Sequence, residues 1–310
     1  MSESPPTAPV CYRHTSRETW VRCTRCDRPI CPDCMREAAV GHQCPECVAE
    51  GRRTQRSART AFGGGAAGRE GYVTKALIAI NVLVALIGVA VSGAGALIGN
   101  GLFTGAGPLQ AIGAVTGGPW TVIADGRVAP GAFPDFGAVY PGIDDGGGIY
   151  RLITAMFIHY GLLHLLMNMW ALWVLGRNLE AVLGPVRFVA LYLLAGLGGN
   201  VAAYLLSPGS LSAGASTAVF GLFAAYFIVL RKLKLDTSAV VGVLVVNLVL
   251  TFTISSISWQ GHLGGLVAGG LTAIVLAYAP RPHRTLIQAA GCGALLLVLL
   301  ALTVLRVLTH

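Results

Sequence analysis

Between residues 76 and 308 the chain is a succession of apolar runs, each close to the length that the hydrocarbon core of a bilayer demands. Runs occupy 76–98, 161–179, 186–206, 216–230, 238–255, 262–279 and 286–308, the fourth and fifth being short. An α-helix crosses ~30 Å of hydrocarbon with about 20 apolar residues. Lipid offers no water to an unpaired backbone, so runs of this kind fold as helices packed on one another. The pattern predicts an all-α polytopic membrane protein with seven helices. Only 12% of the residues are charged, about half the usual share for a soluble domain, which excludes an ordinary soluble enzyme.

The charges that remain set an orientation. Arg52, Arg53, Arg56, Arg59, Arg69 and Lys75 stand against Glu70 just before the first run. Beside a span, such a cluster reads as a cytosolic flank facing anionic lipid, not as a nucleic-acid site. Arg177 and Arg187, then Arg231, Lys232 and Lys234, then Arg281 and Arg284 fall at alternate ends of the runs, while Ser207–Ala215 and Ser256–Gly261 carry no charge. The positive-inside rule then places the N-terminus in the cytosol and, after seven spans, the C-terminus outside, in the plasma membrane. Residues 99–149 are Gly-rich and sparsely charged, with Asp125, Asp135, Asp144 and Asp145 against Arg127. They are expected to pack on or in the outer leaflet, partly as membrane-lying helices.

Polar groups inside the apolar runs are costly unless they pair or do chemistry. Ser216 opens one run within Gly214-Ala215-Ser216-Thr217-Ala218, and His262 opens another within Gly261-His262-Leu263-Gly264-Gly265. His164 and Asn168 are four apart and share one helix face. Counting helix rise from the basic ends, Ser216 is ~22 Å from Arg231, His164 ~20 Å from Arg177 and His262 ~28 Å from Arg281, so all lie in or near the outer third of a bilayer. Alone, a serine in a span bonds back to a carbonyl and an asparagine glues helices. Together at one depth they predict a nucleophile, Ser216, with its base, His262. His164, the Asn168 amide and the Ser216 N–H are the candidate oxyanion donors. No intramembrane Asp or Glu offers itself as a third member, so the pair is expected to work as a dyad without a catalytic cofactor. Phe220, one turn below Ser216, is placed to pack under the His262 ring. His159, His283 and His310 fall near expected membrane edges or tails and receive no role. Gly196, Gly198, Gly199 and Gly265-x-x-x-Gly269 allow close helix packing.

Seven of the eight cysteines lie within residues 11–47. Residues 1–30 lack the apolar stretch of a signal peptide, so this segment is expected in the reducing cytosol, where metal binding outweighs disulfides. Four pairs, each with two residues between, appear: Cys11/His14, Cys23/Cys26, Cys31/Cys34 and Cys44/Cys47. Eight ligands make two structural zinc sites. The spacing suits a cross-brace of pairs one with three and two with four without fixing that order, and His42 is a ninth candidate able to displace Cys44. The module resembles a B-box-type zinc finger. Its expected partner is a protein, because Glu18, Asp27, Asp33, Glu37, Glu46 and Glu50 offset its basic residues and argue against nucleic acid. The expected division is a zinc module at 1–50, a flexible basic linker at 51–74 and a membrane domain at 75–310.

Over about residues 75–280 the motifs resemble the rhomboid family of intramembrane serine proteases. The matching residues are Tyr150-Arg151, His164-x-x-x-Asn168, Gly214-Ala215-Ser216 and His262-x-Gly264-Gly265-x-x-x-Gly269. The resemblance implies a six-helix core with a seventh helix added, Ser216 as nucleophile, His262 as base and His164 with Asn168 at the oxyanion. It implies substrates that are transmembrane proteins, cleaved in or beside their spans. Thr217 departs from the glycine usual after the serine, and Tyr150 from the usual tryptophan. The alternatives are a catalytically inactive rhomboid-like protein that binds membrane clients, and a small-solute transporter, which usually needs an intramembrane carboxylate.

Overall fold

The computed structural model describes residues 7–54, 59–65, 71–93 and 107–309. The expected end of the first span at residue 98, Arg56, Arg69, Glu70 and His310 lie outside the described residues. The chain divides into two compact units, Met1–Ala58 and Arg59–His310.

The first unit has little regular structure. A hairpin pairs β1 (Arg36–Glu37) with β2 (His42–Gln43), and α1 (Pro45–Thr54) follows. Its buried cluster is Cys11, Cys23, Cys31, Cys34, Cys44 and Cys47 around Ile30. One aliphatic side chain is far too little apolar surface to hold a fold of this size. Exposed ion pairs join Arg17 to Asp33, Arg22 to Asp27, Arg25 to Glu50 and Arg28 to Glu46, so these basic side chains are matched by acidic ones. The helix running on to Thr54 carries this unit past the expected boundary at residue 50.

The second unit is helical: α2 (Tyr72–Ser92), α3 (Pro108–Gly113), α4 (Arg151–Thr154), α5 (Leu162–Leu183), α6 (Pro185–Leu206), α7 (Ser216–Leu233), α8 (Ser238–Thr253), α9 (Trp259–Tyr278) and α10 (Arg284–Thr309). Helices α6, α7 and α9 form its centre. A methyl added at Gly265 would lie 1.9 Å from the Thr217 carbonyl oxygen, and one at Gly269 2.3 Å from the Gly221 Cα. The same holds between α6 and α9, where a methyl on Gly198 would meet Ala268 Cβ at 2.2 Å. Small residues thus let three backbones touch.

Among the described residues, five helices are long and apolar enough to cross a membrane: α2, α6, α7, α9 and α10. A sixth results if the segment Arg151–Phe157 is joined to α5, from which it is bent by 92°. The helix expected as the fifth span, α8, is short: it has 16 residues, about 24 Å of helix, before the chain turns at Ile254. Polar residues flank the breaks: Arg231 and Lys232 occupy the last turn of α7, where cations meet the negative end of the helix dipole.

The unit is mostly helical, as expected, and carries one small sheet: β3 (Trp120–Ile123) pairs antiparallel with β4 (Val128–Pro130) and β5 (Gly137–Tyr140). Thr121, Val122, Ile123, Val128 and Val139 favour strands, and Gly126 turns the β3–β4 hairpin at φ +85°. Some of its glycines sit where backbones touch: a methyl on Gly142 would lie 1.9 Å from the Gly117 oxygen. The basic stretch is not wholly a free linker. Phe62 is buried, and the Gln288 amide donates to its carbonyl at 3.2 Å.

Candidate active site

The chain entering α7 is held from several sides before it reaches Ser216. Val115 and Ser212 exchange both backbone hydrogen bonds at 2.8 and 2.9 Å, Gly117 N–H donates to Pro208 O at 2.8 Å, and the Tyr160 hydroxyl donates to Leu211 O at 2.6 Å. Gly214 N–H donates to Ala155 O at 2.9 Å. Arg151 stands behind this frame, its fully buried guanidinium donating to Pro141 O at 2.8 Å and Ala114 O at 2.9 Å. Tyr150 donates to Ile112 O at 2.8 Å.

Gly214 needs to be glycine twice over. Its φ is +142°, and a Cβ there would sit 2.8 Å from His164 Cε1, 2.9 Å from Nε2 and 3.2 Å from Ser216 Oγ. A hydrogen therefore fills the gap between the imidazole of α5 and the hydroxyl of α7. Ser216 is the first residue of α7, where backbone N–H groups lack intrahelical partners and the dipole favours negative charge.

His262, in the first turn of α9, brings Nε2 to 2.9 Å from Ser216 Oγ. Its ring stacks on Phe220, with centroids 4.0 Å apart and planes at 19°, the contact expected from the position of Phe220 one turn below the serine. Its Nδ1 lies 2.8 Å from Thr251 Oγ1 of α8. Tyr160 N–H donates to His164 Nδ1 at 3.3 Å, which leaves the proton of a neutral ring on Nε2. One Asn168 amide proton goes to His164 O at 2.9 Å, and the second remains to be given. Ser216, His262, His164 and Asn168 all line one cavity of about 390 Å³, with Trp170, Asn247 and Thr251 among its other walls.

Thr217 also lines this cavity, and its side chain packs against α6 and α9, where a methyl on Gly199 would lie 2.6 Å from Thr217 Cβ and one on Gly261 3.1 Å from Cγ2. His159, given no role from sequence, is buried beside the site. Its ring centroid is 5.0 Å from that of His164, and its Nε2 accepts from Ala215 N–H at 3.4 Å. Its place five residues before His164, in the short link leading into α5, was the available signal. Just beyond the expected end of the second span, Glu180 is buried in α5. It accepts from Val73 N–H at 3.0 Å, Thr74 N–H at 2.9 Å and the Thr74 hydroxyl at 2.8 Å. It caps α2 and is not part of the cavity.

A family profile described as the rhomboid domain matches residues 146–279. The chain is 34% identical over 135 residues to the putative rhomboid protease YdcA of Bacillus subtilis, an alignment covering 42% of this chain and 68% of that protein. The chain belongs to the rhomboid family. It is also 38% identical over 146 residues to the rhomboid protease GluP of the same organism, covering 46% of this chain and 29% of that much longer relative. With the rhomboid-like protease 3 of Toxoplasma gondii it shares 30% identity over 181 residues, 54% of this chain and 67% of that one. This rhomboid is thus a multi-pass membrane protein of an intramembrane protease family.

The rhomboid's N-terminal unit holds two clusters able to bind metal ions. Cys11, His14, Cys31 and Cys34 form one, and Cys23, Cys26, Cys44 and Cys47 the other, the donor atoms of each lying within 4.8 Å of one another. Pair one meets pair three and pair two meets pair four. His42, on β2, belongs to neither cluster, and Cys44 does. The donors suit a metal. Burial pushes the Cys11 thiol up, but the N–H groups of Arg13, Cys31 and His14 outweigh it and bring it down to about 6. Cys23 is likewise brought down to about 6 against burial, by N–H groups of Cys44, Arg25 and Cys26. Thiolates are the form that ligates.

Proposed function

We propose that the chain is an intramembrane serine endopeptidase that cleaves transmembrane proteins in or beside their spans. The observation that carries this reading is the 2.9 Å contact between Ser216 Oγ and His262 Nε2 at the wall of the cavity. In the proposed mechanism Ser216 Oγ attacks the scissile carbonyl carbon as its proton passes to His262 Nε2. The oxyanion is met by the Ser216 N–H, the Nε2–H of His164 and the second amide proton of Asn168. Gly214 keeps the approach to these donors open. The C–N bond then breaks as His262 returns the proton to the leaving amine, and water repeats the sequence on the ester.

We further infer two structural zinc ions in the N-terminal unit, one per cluster, and a cytosolic protein as that unit's partner. Cysteine-rich tetrahedral sets are the closed, non-catalytic kind. The charges at the helix ends support a cytosolic N-terminus, an extracytoplasmic C-terminus and a plasma-membrane location.

The test uses the full chain in lipid vesicles with a single-span reporter and a fluorophosphonate probe. Wild type cleaves the reporter and is labelled at Ser216, while Ser216→Ala and His262→Ala lose both by about 1,000-fold or more. Reporter binding that persists with no cleavage by wild type would instead identify an inactive client-binding rhomboid. Reporter fusions at each end of the chain read the orientation.

A further inference from the structure

We propose that Thr251 is the positioning residue of this site: its hydroxyl accepts the Nδ1–H of His262 and so keeps Nε2 bare to take the Ser216 proton. The inference rests on the protease reading above. Thr251 lies near the C-terminal end of α8 and is 2% exposed. Its Oγ1 is 2.7 Å from the Asn247 carbonyl oxygen and 2.8 Å from His262 Nδ1.

The proton count decides the direction of these bonds. A hydroxyl has one proton and a carbonyl can only accept. If Thr251 donates to Asn247, it faces Nδ1 with a lone pair, and Nδ1 must carry the hydrogen. A neutral imidazole has a single N–H, so Nε2 is then an acceptor for Ser216 Oγ–H at 2.9 Å. That arrangement makes three hydrogen bonds along Asn247, Thr251, His262 and Ser216. The reverse one, with Thr251 donating to Nδ1 and Nε2–H pointing at the serine, makes two and leaves the ring unable to act as base. Burial favours the fuller count, because each lost bond is costly where water does not replace it.

Two contacts then fix one ring. Phe220 holds its plane by stacking, and Thr251 holds its rotation within that plane. When Ser216 gives its proton to Nε2, the Nδ1–H stays donated to Thr251 throughout. The hydroxyl thus fills the orienting place that a carboxylate takes in a Ser-His-Asp triad, without its charge.

The experiment compares wild type, Thr251→Val and Thr251→Ser in vesicles, reading kcat and KM on the single-span reporter and the rate of fluorophosphonate labelling. Valine keeps the branched shape and removes the acceptor; serine keeps the hydroxyl and removes the methyl. Thr251→Val is expected to lower kcat and the labelling rate about tenfold with KM within about twofold, and Thr251→Ser to stay within about twofold of wild type. Wild-type rates in Thr251→Val, or a Thr251→Ser as slow as the valine variant, overturn the assignment. Should the valine variant unfold, Thr251→Ala carries the same comparison against serine. A wild-type chain never labelled at Ser216 overturns the protease reading, and this assignment with it. A labelled wild type with an unaffected Thr251→Val overturns the assignment alone.

Discussion

The interiors of the two units are made of opposite materials. The first buries sulfur: six cysteines and Ile30. The second buries backbone against backbone, with glycines of α6, α7 and α9 in contact. A sulfur interior is held at two points and needs a ligand at each. A glycine interior is spread along the helices, and no single added atom holds it. Within the second unit the contrast repeats in milder form. Helix α7 buries residues on most of its turns, whereas α8 buries only Val240 and Thr251 among its described residues. Ser216 therefore rides on a well-packed helix, and Thr251 on a loosely held one.

The sharpest way to break the first contrast is to strip the metal. With a strong chelator the N-terminal unit should lose its fold entirely, read by complete reactivity of its thiols, because metal binding and folding are one equilibrium in so small a module. A unit that keeps its thiols protected in chelator would show that Ile30 and the ion pairs suffice. Affinity should also fall with acidity. In a metal-free, unfolded unit cysteine thiols titrate near their ordinary ~8.5, so loading at neutral pH releases protons, and a competition titration should show affinity falling as pH is lowered.

In the second unit, Gly265→Ala forces a methyl against the Thr217 carbonyl and should cost about 3 kcal/mol, read as thermal unfolding in detergent. Near-native stability would mean the helices can part freely. Gly214→Ala tests geometry more than packing. It should reduce probe labelling by about 100-fold through displacement of His164, with a smaller loss of stability than Gly265→Ala. The smallest effect belongs to α8, where Val246→Leu, on an exposed position, should change stability by less than about 0.5 kcal/mol. A large loss there would show that α8 is covered by something these contacts do not include.

What could be read beforehand follows from contrast with surroundings. A serine, an asparagine and two histidines stand out in apolar runs, and the cysteine pairs stand out by spacing. Thr251 did not, because a threonine in a helix bonding back to the residue four before is ordinary, and only the fold brings His262 against it. Glu180 was overlooked because it lies close to Arg177 at a helix end, where a charge looks solvated. The sheet escaped because its strands are short and its glycines read as irregular chain. Residues 59–64 looked like linker by composition, yet Phe62 packs in the unit.

The buried guanidinium of Arg151 has one more implication. It grips the carbonyls of Ala114 and Pro141 from the helical segment whose Ala155 oxygen receives the Gly214 amide. Any pull on the three-stranded sheet is therefore relayed, through one cation and one amide, to the turn that carries Ser216. The sheet is mechanically part of the candidate site and is not a mere appendage to it.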